Sequence, residues 1–271
     1  MHLLWNKQVR IKDFWAPECY GLFYKQEDNV TFFFLNRSNL LSSTNVSPDV
    51  NFLCSCERIE QLTLPHRWDI VETSDTSLLL FSDKCGFDLK NEELSFSIPT
   101  ECQALYNQHI RPSKYYEEAP QYLGEFTILH KGNSGYICKK DNSIIWEFTG
   151  RAYLYTDVLR WNDRLFFGTG GHGGYFYVLD IHSGVPLASI KTGGTRCIVQ
   201  ADNLCYILNN EKNAQLLCID LLDGRTVAQC DLPGKATLDS RIAMIDNAIH
   251  AITFNTSHAK SDGFTWSCIK V

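Results

Sequence analysis

The chain has 271 residues, of which 44% are hydrophobic and 13% aromatic, enough apolar material to build a core without disulfide or metal staples. Its formal net charge is −6, and no run of five or six like charges occurs, so phosphate backbones and anionic membranes are poor partners. The longest apolar runs, Phe32-Phe33-Phe34-Leu35 and Leu78-Leu79-Leu80-Phe81, are strand-sized and far short of the roughly 20 residues that a membrane helix needs.

At the N-terminus, Met1-His2-Leu3-Leu4-Trp5-Asn6-Lys7 reaches charge before any apolar stretch of signal-peptide length forms. The expected setting is therefore a reducing cytoplasm, where the eleven cysteines stay free rather than forming a disulfide framework. Cys138, Cys205 and Cys218 stand inside apolar strand-like runs and are expected to be buried thiols.

From residue 27 onward the chain reads as strands punctuated by Asn/Asp and Gly turns. Glu27-Asp28-Asn29 leads into an apolar run that ends at Asn36-Arg37-Ser38-Asn39-Leu40, and Ser74 to Leu80 leads into Phe87 to Leu94. Cys54-Ser55-Cys56 places two thiols on one strand face, but no second pair completes a zinc set. Glu101 to Ile110 has room for one short helix. The polar excursion Arg111 to Pro120, with Tyr115, Tyr116, Glu117 and Glu118 at its centre, is too long for a hairpin turn.

The repeat is plainest in the second half. Tyr177-Val178-Leu179-Asp180 followed by Gly184, and Leu217-Cys218-Ile219-Asp220 followed by Gly224, are hairpins in which both Asp and both Gly recur 40 residues apart. Tyr136 to Trp146 has the same shape with Ser143 in place of the glycine. Upstream turns at Asn162-Asp163, Asp202-Asn203 and Asp246-Asn247 recur after 40 and then 44 residues. The unit is strand, Asn/Asp turn, strand, loop, strand, Asp/Gly turn, strand. A period of about 40 to 45 residues carrying four strands is a β-propeller blade. The expected fold is all-β: a single β-propeller domain over 1–271, with about six blades and five to seven allowed. Leu3–Ile11 beside Phe264–Val271 would close it, because an open sheet edge invites aggregation.

The segments Val178 to Gly184 and Cys218 to Gly224 resemble the "aliphatic, Asp, two residues, Thr/Ser/Asp, Gly" signature of quinoprotein-like propeller repeats, most clearly over 122–271. Enzymes of that family place a docking tryptophan after the glycine. Aligning by the turn puts Leu187 and Val227 at that position, with Trp146 alone fitting, so the resemblance implies the non-enzymatic branch. That branch implies protein binding, most concretely by an immunity protein that neutralises a bacterial toxin, with a basic toxin domain as the partner. A propeller enzyme acting on a carbohydrate or other polar small molecule, through acids such as Asp157, Asp163 and Asp239, and a scaffold subunit remain as alternatives.

Gly168-Thr169-Gly170-Gly171-His172-Gly173-Gly174 formally contains the dinucleotide fingerprint, but an aromatic strand pattern follows where a helix is required. The expectation is a loop between a second and a third strand, with His172 at its tip as a hydrogen-bonding group. No catalytic triad, metalloprotease or phosphate-loop motif occurs, so no catalytic residue, cofactor or metal is expected. Tyr115, Tyr116, Glu117, Glu118, Tyr153 and His172 are the expected contact residues, since binding anchors favour aromatic side chains.

Overall fold

A computed structural model describes residues 1–15, a series of strands between 19 and 95, and residues 120–271 except 155, 157, 171–172, 196, 237–239 and 255–259; between 11 and 119, side chains are described only at Phe23 and Val30. The described residues contain strands and turns and no helix. The possible helix at Glu101–Ile110 and the excursion carrying Tyr115, Tyr116, Glu117 and Glu118 lie outside them.

Two compact units are present. The smaller, Ile11–Lys114 with Ala259–Asp262, holds two four-stranded antiparallel sheets. One is β2 (Cys19–Gln26), β3 (Asn29–Asn36), β4 (Val50–Ser55) and β5 (Ile59–Leu62); the other is β6 (Asp69–Thr73), β7 (Ser77–Phe81), β8 (Gly86–Asp88) and β9 (Glu93–Ser95). In both, consecutive strands are neighbours.

The larger unit holds four sheets of the same meander type. The third sheet is β10 (Gln121–Leu123), β11 (Phe126–Lys131), β12 (Gly135–Lys140) and β13 (Ser143–Thr149). The fourth is β15 (Leu159–Trp161), β16 (Arg164–Gly170), β17 (Tyr175–Asp180) and β18 (Pro186–Lys191), with β14 (Tyr153–Leu154) added beside the end of β16. The fifth is β19 (Ile198–Ala201), β20 (Leu204–Asn209), β21 (Gln215–Asp220) and β22 (Thr226–Asp231). In the sixth, β23 (Ile242–Ile245), β24 (Ala248–Phe254) and β25 (Lys260–Lys270) are completed by the N-terminal strand β1 (His2–Trp15), which hydrogen-bonds to β25. The two chain ends thus share one sheet, the pairing expected from sequence.

Turn chemistry accounts for the regularity. Asn162, Asp202, Asp246 and Asn247 all adopt positive φ at the first turn of their sheets, a conformation that Asn and Asp tolerate better than other side chains. The Asp/Gly hairpins close alike. Gly184 (φ 69°) and Gly224 (φ 73°) donate their N–H groups to the carbonyls of Asp180 and Asp220, both at 2.8 Å. The Asp180 carboxylate accepts from the His182 N–H (3.1 Å), the Ser183 N–H (2.9 Å) and the Ser183 hydroxyl (2.9 Å), and it pairs with Arg164 at 3.1 Å. A register shift repeats as well, between Cys138/Lys139, Val178/Leu179 and Cys218/Ile219. A bulge at this point increases the local twist of the outer hairpin.

The central strands of the fourth and fifth sheets are apolar on both faces because each of these two sheets is covered twice. Leu165, Phe167, Tyr177 and Leu179 of the fourth sheet pack with Phe126, Ile128, Tyr136 and Cys138 of the third. On the opposite face, Phe166, Phe176 and Val178 pack with Cys205, Ile207, Leu217 and Ile219 of the fifth. The fifth and sixth sheets meet through Tyr206, Leu208, Leu216 and Cys218 against Ile249, Ala251 and Ile269. Cys138, Cys205 and Cys218 are buried free thiols, as expected. Burial pushes the Cys138 thiol up to about 11, so it is unreactive at neutral pH.

One interface carries a distinct lock. Trp146, in the third sheet, donates its indole N–H to the carbonyl of Ile181 at 2.7 Å and lies flat against Gly184, where a Cβ would come within 2.6 Å of the ring. At the next interface Ala188 takes the tryptophan's place, and a Cβ on Gly224 would meet the Ala188 Cβ at 2.5 Å. The residue in register with Trp146 is therefore Ala188, and then Ala228, because Cys138, Val178 and Cys218 pair with these three positions in turn. This corrects the turn-based alignment to Leu187 and Val227, whose side chains are 41% and 52% exposed.

Candidate functional site

In a four-stranded meander, the first and third connections leave one end of the sheet. The second connection leaves the other end, together with the link to the next sheet. With both faces of the fourth and fifth sheets buried, what these sheets offer to a ligand is their two ends and the outer strands β18 and β22. The end carrying the first and third turns is spent on its own closure: Asp180 and Asp220 bind their turns, and Asp163 pairs with His182 at 3.2 Å. Asp157 and Asp239, the other acids considered for catalysis, lie outside the described residues. Among the described residues no three His, Cys, Asp or Glu side chains converge to hold a metal ion.

The opposite end of the fourth sheet is different. Of the glycine run expected as a loop, Gly168 to Gly170 lie in β16 and only 171–174 fall between it and β17, which starts at Tyr175. β17 occupies the place where the dinucleotide fingerprint needs a helix. Its glycines permit close backbone approach: a Cβ on Gly168 would meet the Thr195 carbonyl oxygen at 2.3 Å, and one on Gly174 the Thr169 carbonyl oxygen at 2.4 Å. His172 lies outside the described residues. Buried threonines satisfy the packed backbone. Thr169 accepts from the Tyr175 N–H at 2.9 Å, Thr192 donates to the Gly174 carbonyl at 3.3 Å, and Thr195 donates to Thr192 at 2.8 Å.

Against this base lies the short link 150–154. Gly150 donates its N–H to the Ser134 carbonyl (2.7 Å), and Leu154 to the Asn133 carbonyl (2.8 Å), tying the link down at both sides. Between them Ala152 has φ 65°, an uncommon conformation for a residue that is neither Gly, Asn nor Asp. Tyr153, expected as a contact residue, is 52% exposed and stands opposite Gly170 on β14.

An aromatic ladder from the core ends at the same spot. Tyr136, Phe167 and Tyr177 are in edge or tilted contact, and Tyr177 stacks on Tyr175 at 5.8 Å between centroids. Arg151 caps the ladder. Its backbone N–H donates to the Tyr177 hydroxyl (2.8 Å), its Nη1 donates to the Tyr175 hydroxyl (3.1 Å), and its guanidinium carbon lies 5.6 Å from the Tyr175 ring centroid. Lys191, directly across the strand pair from Tyr175, binds Glu211 at 2.5 Å, and that hydrogen bond raises the ammonium's pKa.

Arg151, Tyr175, Lys191 and Glu211 were not anticipated from sequence. They come from four connections or strand ends and meet only once the sheets are packed. The Tyr175-Phe176-Tyr177 alternation was visible, and Gly150-Arg151-Ala152-Tyr153 was the available signal beside it: a basic and an aromatic residue in a short stretch that starts with glycine.

The chain matches no protein-family model and no curated protein. Solved structures with similar backbone arrangement include a europium-containing methanol dehydrogenase (15% identity, 44% of this chain and 25% of that one, TM-score 0.36). The computationally designed Ika4 protein matches over 58% of this chain and 94% of its own, with 12% identity and a TM-score of 0.40. BamB from Moraxella catarrhalis matches over 98% of this chain and 99% of its own, with 8% identity and a TM-score of 0.33. The chain spans about a quarter of the dehydrogenase's length.

Proposed function

We propose that the chain is a non-catalytic β-propeller of the quinoprotein-like kind that binds another protein. In its most concrete form it is an immunity protein that covers the active site of a toxin. The propeller reading is supported by the repeated four-strand meander with its bulge every 40 residues, by the Trp146–Gly184 lock, and by the N-terminal strand completing the last sheet.

The observation that carries the binding reading is the exposed Tyr153 beside Arg151 on a link fixed by backbone hydrogen bonds. Tyr and Arg dominate binding hot spots, and a side chain held rigidly before binding loses less entropy on association. The formal charge of −6 favours a partner of basic overall charge through long-range steering. Expressing the partner alone should arrest growth, and co-expression with the chain should restore it. A partner that is harmless on its own contradicts the immunity form, though not protein binding as such.

A further inference from the structure

We propose that Arg151, Tyr175 and Lys191 form a docking site for an acidic peptide segment of the partner protein, a local contact opposite in sign to the chain's overall charge. The inference rests on the protein-binding reading above and names the chemistry of its contact point.

Donor and acceptor arithmetic at the site leads to this conclusion. A guanidinium carries five N–H donors, and among the described residues only the Arg151 Nη1 bond to the Tyr175 hydroxyl uses one from the side chain. Lys191 has three donors, one of them engaged by Glu211. The Tyr175 hydroxyl accepts from Arg151 and keeps its own proton to donate. The one carboxylate in this cluster among the described residues, Glu211, is already paired. Among the described residues the cluster thus holds two cations to one anion, and a carboxylate from a partner can replace the water on the Arg151 and Lys191 donors that these bonds leave over.

Geometry adds selectivity. The Tyr175 ring beneath the guanidinium and the hydroxyl at its edge hold the Arg151 fork in place, which favours a planar, two-pronged acceptor. Ala152, left-handed directly after Arg151, sets the course of the link there, and backbone strain of this kind persists only where the surrounding structure over-determines it.

The test uses the full chain and a fluorescein-labelled hexaglutamate peptide, with fluorescence anisotropy read at low ionic strength. Saturable binding is expected, with hexalysine giving none. Arg151→Met should weaken it at least fivefold and Lys191→Met at least twofold. Glu211→Gln should tighten it about twofold, because it frees Lys191 and removes the competing carboxylate. Unchanged thermal unfolding of each variant establishes that it is folded. Absence of saturable hexaglutamate binding, or equal binding by Arg151→Met, overturns the proposal. So does tighter binding of a single-stranded oligonucleotide of equal charge, which would assign the donors to phosphates. If hexaglutamate fails while a partner protein is still retained by the chain, the acidic contact is wrong and protein binding stands. If hexaglutamate binds but no partner is retained, the reverse holds.

Discussion

Trp146 shows how much one side chain does at a sheet interface. Its indole N–H meets a backbone carbonyl and its ring fills the space left by a glycine on the next sheet. Trp146→Ala should cost about 3–5 kcal/mol, the range for emptying a buried aromatic site. Gly184→Ala should also destabilise, because a Cβ must displace the indole and the backbone sits at φ 69°. The two effects share one contact, so urea denaturation of the double variant should show a loss smaller than the sum by about 1 kcal/mol or more. Simple additivity would mean that the ring does not rest on the glycine.

His250 makes a second residue-scale prediction. It is buried between Trp266, whose indole N–H donates to its Nδ1 at 3.1 Å, and Cys268, whose sulfur lies 4.0 Å from its Nε2. Nδ1 must therefore be unprotonated, and burial pushes the imidazole down to about 4 from an ordinary value of 6.5. Between those values the unfolded chain binds the extra proton and the folded chain does not. The stabilisation from neutral His250 is thus fully present above about pH 6.5 and is lost as the pH falls toward 4. Thermal unfolding followed from pH 7.5 to 4.5 should show this decline. It should be shallower in His250→Gln once the variant's own loss of stability is subtracted, and a parallel slope would contradict the account.

At the scale of elements, the hairpin between β17 and β18 depends on Asp180. Burial alone would raise its pKa, but the Ser183 hydroxyl, the Ser183 and His182 N–H groups and Arg164 outweigh that and hold it below the usual carboxylate range. Asp180→Ala should therefore cost about 1–3 kcal/mol by leaving turn N–H groups without an acceptor, read as a lowered melting temperature. Asp180→Asn, which keeps one acceptor oxygen, should recover part of it.

The same elements show what a sequence can and cannot reveal. The Asp/Gly hairpins and the Asn/Asp turns were legible because positive φ leaves a compositional mark at each turn. The docking register was missed by one residue at Ala188 because hairpins differ in length: Asp141 and Asn142 alone close the turn of the third sheet, whereas 181–185 close that of the fourth. A count that starts at the turn therefore lands on Leu187. The cluster around Arg151 left almost no mark, since its members lie about 20 residues apart in successive connections and only the meander brings them together.

At the scale of the whole chain, the fourth and fifth sheets spend both faces on their neighbours, and Arg151 and the exposed Tyr153 stand on a fixed link at one end of the fourth sheet. Protein binding through that end is the central claim. The most direct test compares the tagged chain with its Arg151→Met/Tyr153→Ala variant as baits in native cell lysate, with the retained proteins quantified by mass spectrometry. One protein retained in stoichiometric amount by the unmodified chain and lost from the variant is the predicted result. Retention of nothing by either bait, or of the same partner equally by both, would contradict it.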